Sequence, residues 1–258
     1  MKRRVFLPTY LVMALLVVII GAPFVQVLAL SLTEQGTFSL MAYYRVFLGS
    51  QSYLFNFWRT LGLCALVVAG QVVLSVLAGL GFAKYRFPGR NLWLFLLLIV
   101  MVLPLQVTLV PNFRILGQLG LLNTQGALVL PAVFAPLGTF LMTQSFRAIP
   151  DEILEAAQLD GANMVRVLWK VLTPMSKNGV ASVVLLSFLD AWNMVEQPIA
   201  YLKEPEQYPL SVAVASVGTG DQGVQLACCV LALIPPLLLF LGFHRELVQG
   251  ITLAEVKG

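Results

Sequence analysis

Two carboxylates, Asp190 and Glu196, interrupt an otherwise apolar stretch running from about Gly179 to Leu202. A charged side chain at the centre of a hydrocarbon layer costs about 2.5–3.5 kcal/mol on insertion scales, so such a residue is read first as functional. On a helix of about 3.6 residues per turn, Asp190, Asn193, Gln197 and Tyr201 share one face, with Glu196 at its edge. That arc can line an aqueous passage and hydrogen-bond a polar solute, with Trp192 placed to stack nearby. The same groups serve equally well as hydrogen-bonding glue between helices. Glu196 also fits a position near the outer surface, because the chain leaves the apolar stretch at Pro198–Lys203.

Bond-breaking chemistry finds no support. An enzyme needs converging acid–base or metal-binding groups, and the sequence holds a single histidine, His244, beside Arg245 at the end of an apolar run. There it suits interfacial anchoring better than proton relay. Cys64, Cys228 and Cys229 lie in apolar runs without ligand spacing and read as small packing residues. No G-x-x-x-x-G-K-[ST] phosphate loop occurs, so any nucleotide-driven step needs a separate subunit.

A second group of residues suits mechanical work. Glu155-Ala156-Ala157, Asp160-Gly161 and Pro174 lie in a polar interval between apolar spans. Asp151 is placed to cap a helix, and Asp151 and Glu152 suit its positive end. Ile153, Leu154 and Ala157 give that helix an apolar stripe, and Ala156 and Ala157 are small enough to seat it deep in a partner's groove. Gly161 accepts a positive φ, which allows a sharp turn into a second helix, Ala162–Leu172, which Pro174 ends. The expected product is a rigid helix–turn–helix.

The elements that hold these residues follow from composition. The chain has 258 residues, 59% hydrophobic and 11% charged, against about 25% charged in soluble domains. Runs long enough to cross a bilayer (about 20 residues) recur. They predict an all-α membrane protein of one domain, 1–258, with six spans at about 7–30, 60–83, 92–113, 125–146, 179–202 and 222–244. Lys2-Arg3-Arg4 precedes the first run, which is too long for the core of a signal peptide and is expected to remain as a helix. The aromatic segment Thr33–Arg59 is expected to form a short interfacial helix. Pro104, Pro111, Pro131, Pro136 and Pro235-Pro236 interrupt the spans, as neighbouring helices or water permit.

Basic residues set the orientation. Lys2, Arg3, Arg4, Lys84, Arg86, Arg90, Arg147, Arg166, Lys170, Lys177, Arg245 and Lys257 fall on one side. The positive-inside bias places both termini and the segment 150–175 in the cytoplasm. The net charge of +4 thus reflects topology, and no nucleic-acid partner is expected.

The spacing of the polar interval resembles the E-A-A loop by which permeases of bacterial ATP-binding-cassette importers dock on their ATPase. The family pattern is E-A-A, three residues, G, nine residues, I-x-L-P. Gly161 and Pro174 fall in register, with Val171 in place of Ile and Thr173 in place of Leu. Ala83-Lys84-Tyr85-Arg86-Phe87-Pro88-Gly89-Arg90, Leu119–Thr124, Ala191-Trp192-Asn193, Gly250-Ile251-Thr252 and the ending Val256-Lys257-Gly258 are similar to the carbohydrate-uptake branch, above all the second, six-span permease of the maltose type. Phe57-Trp58-Arg59-Thr60 departs from the Asn-Ser usual before helix 2.

The resemblance implies the type I importer permease fold in a bacterial cytoplasmic (inner) membrane, with a cytoplasmic coupling hairpin. It implies that Glu155, Ala156, Ala157, Asp160, Gly161 and Pro174 couple to the ATPase, and that the tail Glu255, Val256, Lys257 and Gly258 reaches the ATPase pair. The implied partners are a second permease, two copies of the ATPase, which bind ATP and magnesium, and an extracytoplasmic solute-binding protein. This chain itself is expected to hold no cofactor or metal and to do no catalysis. Sugar contacts in such pairs can fall mainly on the partner permease. A polyol or other small solute is the alternative cargo, and a proton-coupled carrier using Asp190 and Glu196 is the alternative machine.

Overall fold

A computed structural model describes residues 6–34, 36–49, 51–214 and 221–255, side chains excepted at 6–8, 49, 51–52 and 245–255. The chain is mostly helical and divides into two compact units, 1–57 with 213–234, and 58–212 with 235–258.

The first unit begins with α1, Phe6–Ser31. No residue of its apolar window is buried, so apolar side chains face outward all round, as a helix solvated by lipid or by another subunit requires. The segment 33–59 departs from the expected single interfacial helix. It opens with a two-stranded antiparallel hairpin, β1 (Thr33–Glu34) and β2 (Thr37–Phe38), turning at Gly36 with φ 81°. A short α2, Met41–Tyr44, then runs into a π turn, Arg45–Gly49. The next helix, α3, spans Gln51–Lys84, so Tyr53, Phe55, Phe57 and Trp58 belong to a spanning helix. Tyr53 is buried there and donates its hydroxyl to the Cys228 carbonyl at 3.2 Å. Arg45 holds the polar end of this unit together, pairing with Glu34 at 2.8 Å and Asp221 at 2.6 Å.

The second unit holds most of α3 followed by α4 (Arg90–Val102), α5 (Leu105–Gln118), α6 (Gly126–Val133) and α7 (Pro136–Arg147). Then come α8 (Asp151–Leu159), α9 (Met164–Val167), a π turn (Leu168–Leu172), α10 (Thr173–Met175), α11 (Lys177–Trp192) and α12 (Glu196–Tyr201). The short α13 (Leu210–Ala213) precedes α14, Gln222–Glu255, which runs through Pro235-Pro236.

Among the described residues four helices are long and apolar enough to cross a membrane, and the number rises to six if each of two bent pairs is one span. The third expected span is bent by 105° between α4 and α5. Pro104 causes the break: it lacks a donor, and it holds the preceding Leu103 extended at ψ 131°. The fifth expected span also fails to run straight. An 81° bend at Ser176 sets α11 off from the helices before it, and the expected span breaks at residues 193–195 before α12.

Two apolar clusters hold the second unit together. One joins Val76, Leu80, Met142, Phe146, Leu154, Val167, Leu168, Leu172 and Val183. The other joins Leu63, Leu116, Ala127, Leu128, Met194, Tyr201 and Leu202. Backbones approach closely where glycine permits it: a Cβ on Gly79 would lie 2.6 Å from that of Met142, the small-residue packing that lipid-embedded helices use.

Candidate coupling hairpin and passage residues

The segment 150–175 forms the expected helix–turn–helix, fixed by local chemistry at each joint. Pro150, rather than Asp151, occupies the N-cap position of α8, and Asp151 opens the helix itself. Its carboxylate is engaged by Lys84. The Lys84 Nζ donates to Asp151 Oδ1 and to the Ile149 carbonyl, each at 2.6 Å. This ammonium holds the Asp151 carboxyl below the usual carboxylate range.

The turn is a Schellman motif. The Gly161 amide donates to Gln158 at 2.9 Å and the Ala162 amide to Ala157 at 3.0 Å, so orphan carbonyls at the end of α8 are satisfied. Gly161 sits at φ 78°, which a side chain would strain. Asn163 then caps α9, its side chain accepting from the Arg166 amide at 2.9 Å. Pro174 falls within the second limb, and the break comes two residues later at Ser176.

The hairpin has an inner and an outer side. Leu154, Val167, Leu168 and Leu172 are buried in the first cluster, with Ile153, Ala157 and Ala162 packed against it. The apolar stripe of α8 therefore faces the chain's own core, and the small Ala157 lets the turn close there. Glu155, Ala156, Asp160 and Gly161 are exposed. So are three large apolar side chains that spacing alone did not single out: Leu159 (88% exposed), Val165 (65%) and Trp169 (47%). Their signal was present as apolar residues off the buried stripe, but the stripe had to be placed first. The tail residues Val256, Lys257 and Gly258, and the side chain of Glu255, lie outside the described residues.

The passage residues are only partly brought together. Asp190, Asn193 and Glu196 are exposed and Gln197 is half-buried, but the helix break at 193–195 divides the expected continuous face. Asn193 turns back to end α11, donating to the Leu189 carbonyl at 2.9 Å. Trp192 is buried and stacked on Phe188 with centroids 5.5 Å apart, so its ring packs inside the fold. Glu196 gains a partner that the sequence reading missed, the Gln106 amide of α5, at 2.9 and 3.1 Å from the two carboxylate oxygens. Among the described residues no ion pair neutralises Glu196 or Asp190.

Residues 71–252 match the model of the family described as binding-protein-dependent transport system inner membrane component. The chain is 28% identical over 228 residues to the arabinooligosaccharides transport system permease protein AraQ of Halalkalibacterium halodurans, covering 87% of this chain and 82% of that protein. It is 31% identical over 194 residues to the sn-glycerol-3-phosphate transport system permease protein UgpE of Yersinia pestis, covering 73% and 69%. Its fold is similar to a chain in a crystal structure of a bacterial ABC transporter involved in the import of the acidic polysaccharide alginate. That likeness has a TM-score of 0.82 at 21% identity and covers 96% of this chain and 99% of the other. The fold also matches a chain of the bacterial alginate ABC transporter in complex with an alginate pentasaccharide-bound periplasmic protein, with a TM-score of 0.68, at 15% identity, covering 94% and 93%.

Proposed function

The chain belongs to the family of binding-protein-dependent transport system inner membrane components, and on that premise we propose that it is one permease half of an ATP-driven carbohydrate importer. The observation that carries the coupling is the two-sided hairpin, with its outer face exposed and its inner face fixed in the core. An apolar outer face on a rigid mount suits a partner that pushes and pulls. The partner is the ATPase, in two copies, which bind ATP and magnesium. Contact with the same pair is also the role proposed for Glu255, Val256, Lys257 and Gly258.

In this reading α4 with α5 is the third span and α11 with α12 the fifth, giving six, while α9 and α10 stay with the hairpin. The termini and the hairpin lie on the cytoplasmic side of a bacterial cytoplasmic membrane. A second permease completes the passage, and an extracytoplasmic binding protein delivers the solute. ATP binding closes the ATPase pair and draws the docked hairpins together, opening the passage outward; hydrolysis resets it. Asp190, Asn193, Glu196 and Gln197 line the passage with Gln106, while Trp192 supports it from behind.

The arabinooligosaccharides of AraQ support an oligosaccharide as cargo, and the sn-glycerol 3-phosphate of UgpE a polyol phosphate. The Glu196 carboxylate, paired only to a neutral amide, favours the neutral solute. The test is uptake by the purified, reconstituted complex of labelled arabinooligosaccharide against labelled glycerol 3-phosphate. ATP-dependent accumulation of the oligosaccharide is expected. Uptake that ignores ATP and collapses with an uncoupler would overturn the reading in favour of a proton-coupled carrier.

A further inference from the structure

Lys84 ends α3, and its side chain is almost wholly enclosed, 4% exposed, while its partner Asp151 is 73% exposed. A buried ammonium is costly to leave unpaired, so its position is set by whatever accepts from it. Both acceptors belong to the joint that carries the hairpin: the Ile149 carbonyl, in the turn leaving α7, and the Asp151 carboxylate, on the first residue of α8. One residue separates these acceptors, so one ammonium grips both sides of Pro150. The apolar environment adds to the grip. Leu80, one turn earlier in α3, lies in the cluster that holds Leu154 of α8, and Ala83 packs against it.

We propose that Lys84 is the positioning residue that transmits force between the coupling hairpin and α3. A tilt imposed on α8 from its outer face is passed through a two-point polar clamp to the cytoplasmic end of a helix of 34 residues. Hydrophobic packing alone is non-directional and permits the hairpin to slide; a charge-assisted pair at short distance fixes its angle. Neighbouring Arg90 does not duplicate the clamp, since it donates to the Tyr85 carbonyl at 3.2 Å; Arg86 adds an electrostatic attraction to the Asp151 carboxylate, weaker than that of Lys84. This inference rests on the coupling reading above.

The test uses the complex purified with its ATPase, carrying Lys84→Met, Lys84→Arg or Asp151→Asn. Amide exchange of Asp151–Leu159 is expected to rise at least tenfold in Lys84→Met. Arabinooligosaccharide uptake per ATP hydrolysed should fall at least fivefold, while the ATPase still co-purifies. Lys84→Arg should restore both to within about threefold. Asp151→Asn, at an exposed carboxylate that leaves the Ile149 contact intact, should show about a threefold rise in exchange. Unchanged exchange of α8 in both Lys84→Met and Asp151→Asn would overturn the clamp. So would raised exchange with uptake per ATP untouched, which would leave Lys84 a merely structural group. If Lys84→Met does not assemble, Asp151→Asn decides alone. A wild-type complex that carries no arabinooligosaccharide would refute the cargo while leaving the exchange result to judge the clamp.

Discussion

The coupling hairpin and the broken spans around Glu196 lie in one unit of the fold, yet they are built on opposite principles. The hairpin's turn and cap are specified by residues that act within a few positions of themselves, Gly161 for the turn and Asn163 for the cap, and only its seat on the core and on Lys84 comes from afar. The broken spans are specified by partners far along the chain. Glu196 is held by Gln106, Tyr201 reaches the Leu109 carbonyl at 3.5 Å, and Asn123 accepts from the Lys203 amide at 2.9 Å. On the proposed function, the first would transmit motion through a locally fixed turn, and the second would open at contacts made across the sequence.

The largest effect should come from breaking the hairpin's turn. Proline fixes φ near −65°, whereas Gly161 sits at φ 78° and its amide is hydrogen-bonded to Gln158. Gly161→Pro is expected to cut co-purification of the ATPase more than tenfold with the protein still inserted, whereas Gly161→Asn, which tolerates this region, retains most of it. Next is the outer face. Leu159→Glu changes a side chain 88% exposed, so folding should stand, and affinity for the ATPase should fall about tenfold, which is about 1.4 kcal/mol; titration of the detergent-purified permease pair with ATPase checks this.

Glu196→Gln sharpens the contrast from the other side. It should lower oligosaccharide uptake several-fold without changing ATPase association, and equal loss of both would merge the two regions into one. The smallest structural effect is Asn163→Ala, which removes a helix cap worth about 1 kcal/mol and should lower the complex's melting temperature slightly. The pH response of the Lys84 clamp has a definite sign. Asp151 is depressed in the folded state, so its contribution is complete above the ordinary carboxylate value of about 3.9 and is lost only as pH falls through the lower folded value. Amide exchange of α8 should therefore stay flat from neutral pH down to about 4, once corrected for intrinsic rates.

This contrast also explains what was legible in the sequence. The motif, the turn at Gly161 and the apolar spans could be read because each depends on nearby residue types. The inward direction of Ile153, Leu154 and Ala157 could not, because an apolar stripe does not say whether it meets its own core or a partner. Pro104 and Pro174 were visible as interruptions, but a 105° bend at one and a helix continuing past the other depend on packing around them. The break at 193–195 was not legible, because Asn193 read as one more polar group on a continuous face, whereas its side chain turns back on Leu189 at the end of α11. Lys84 read simply as a charge on the inner side; only tertiary contact gave it Asp151.

The central claim is that the outer face of the hairpin docks an ATPase. A photo-crosslinking residue at Leu159, activated in native membranes, tests it most directly. The account predicts an adduct with a subunit bearing a G-x-x-x-x-G-K-[ST] phosphate loop, lost in the Gly161→Pro variant. Adducts that never contain such a subunit, and that Gly161→Pro leaves unchanged, would contradict it.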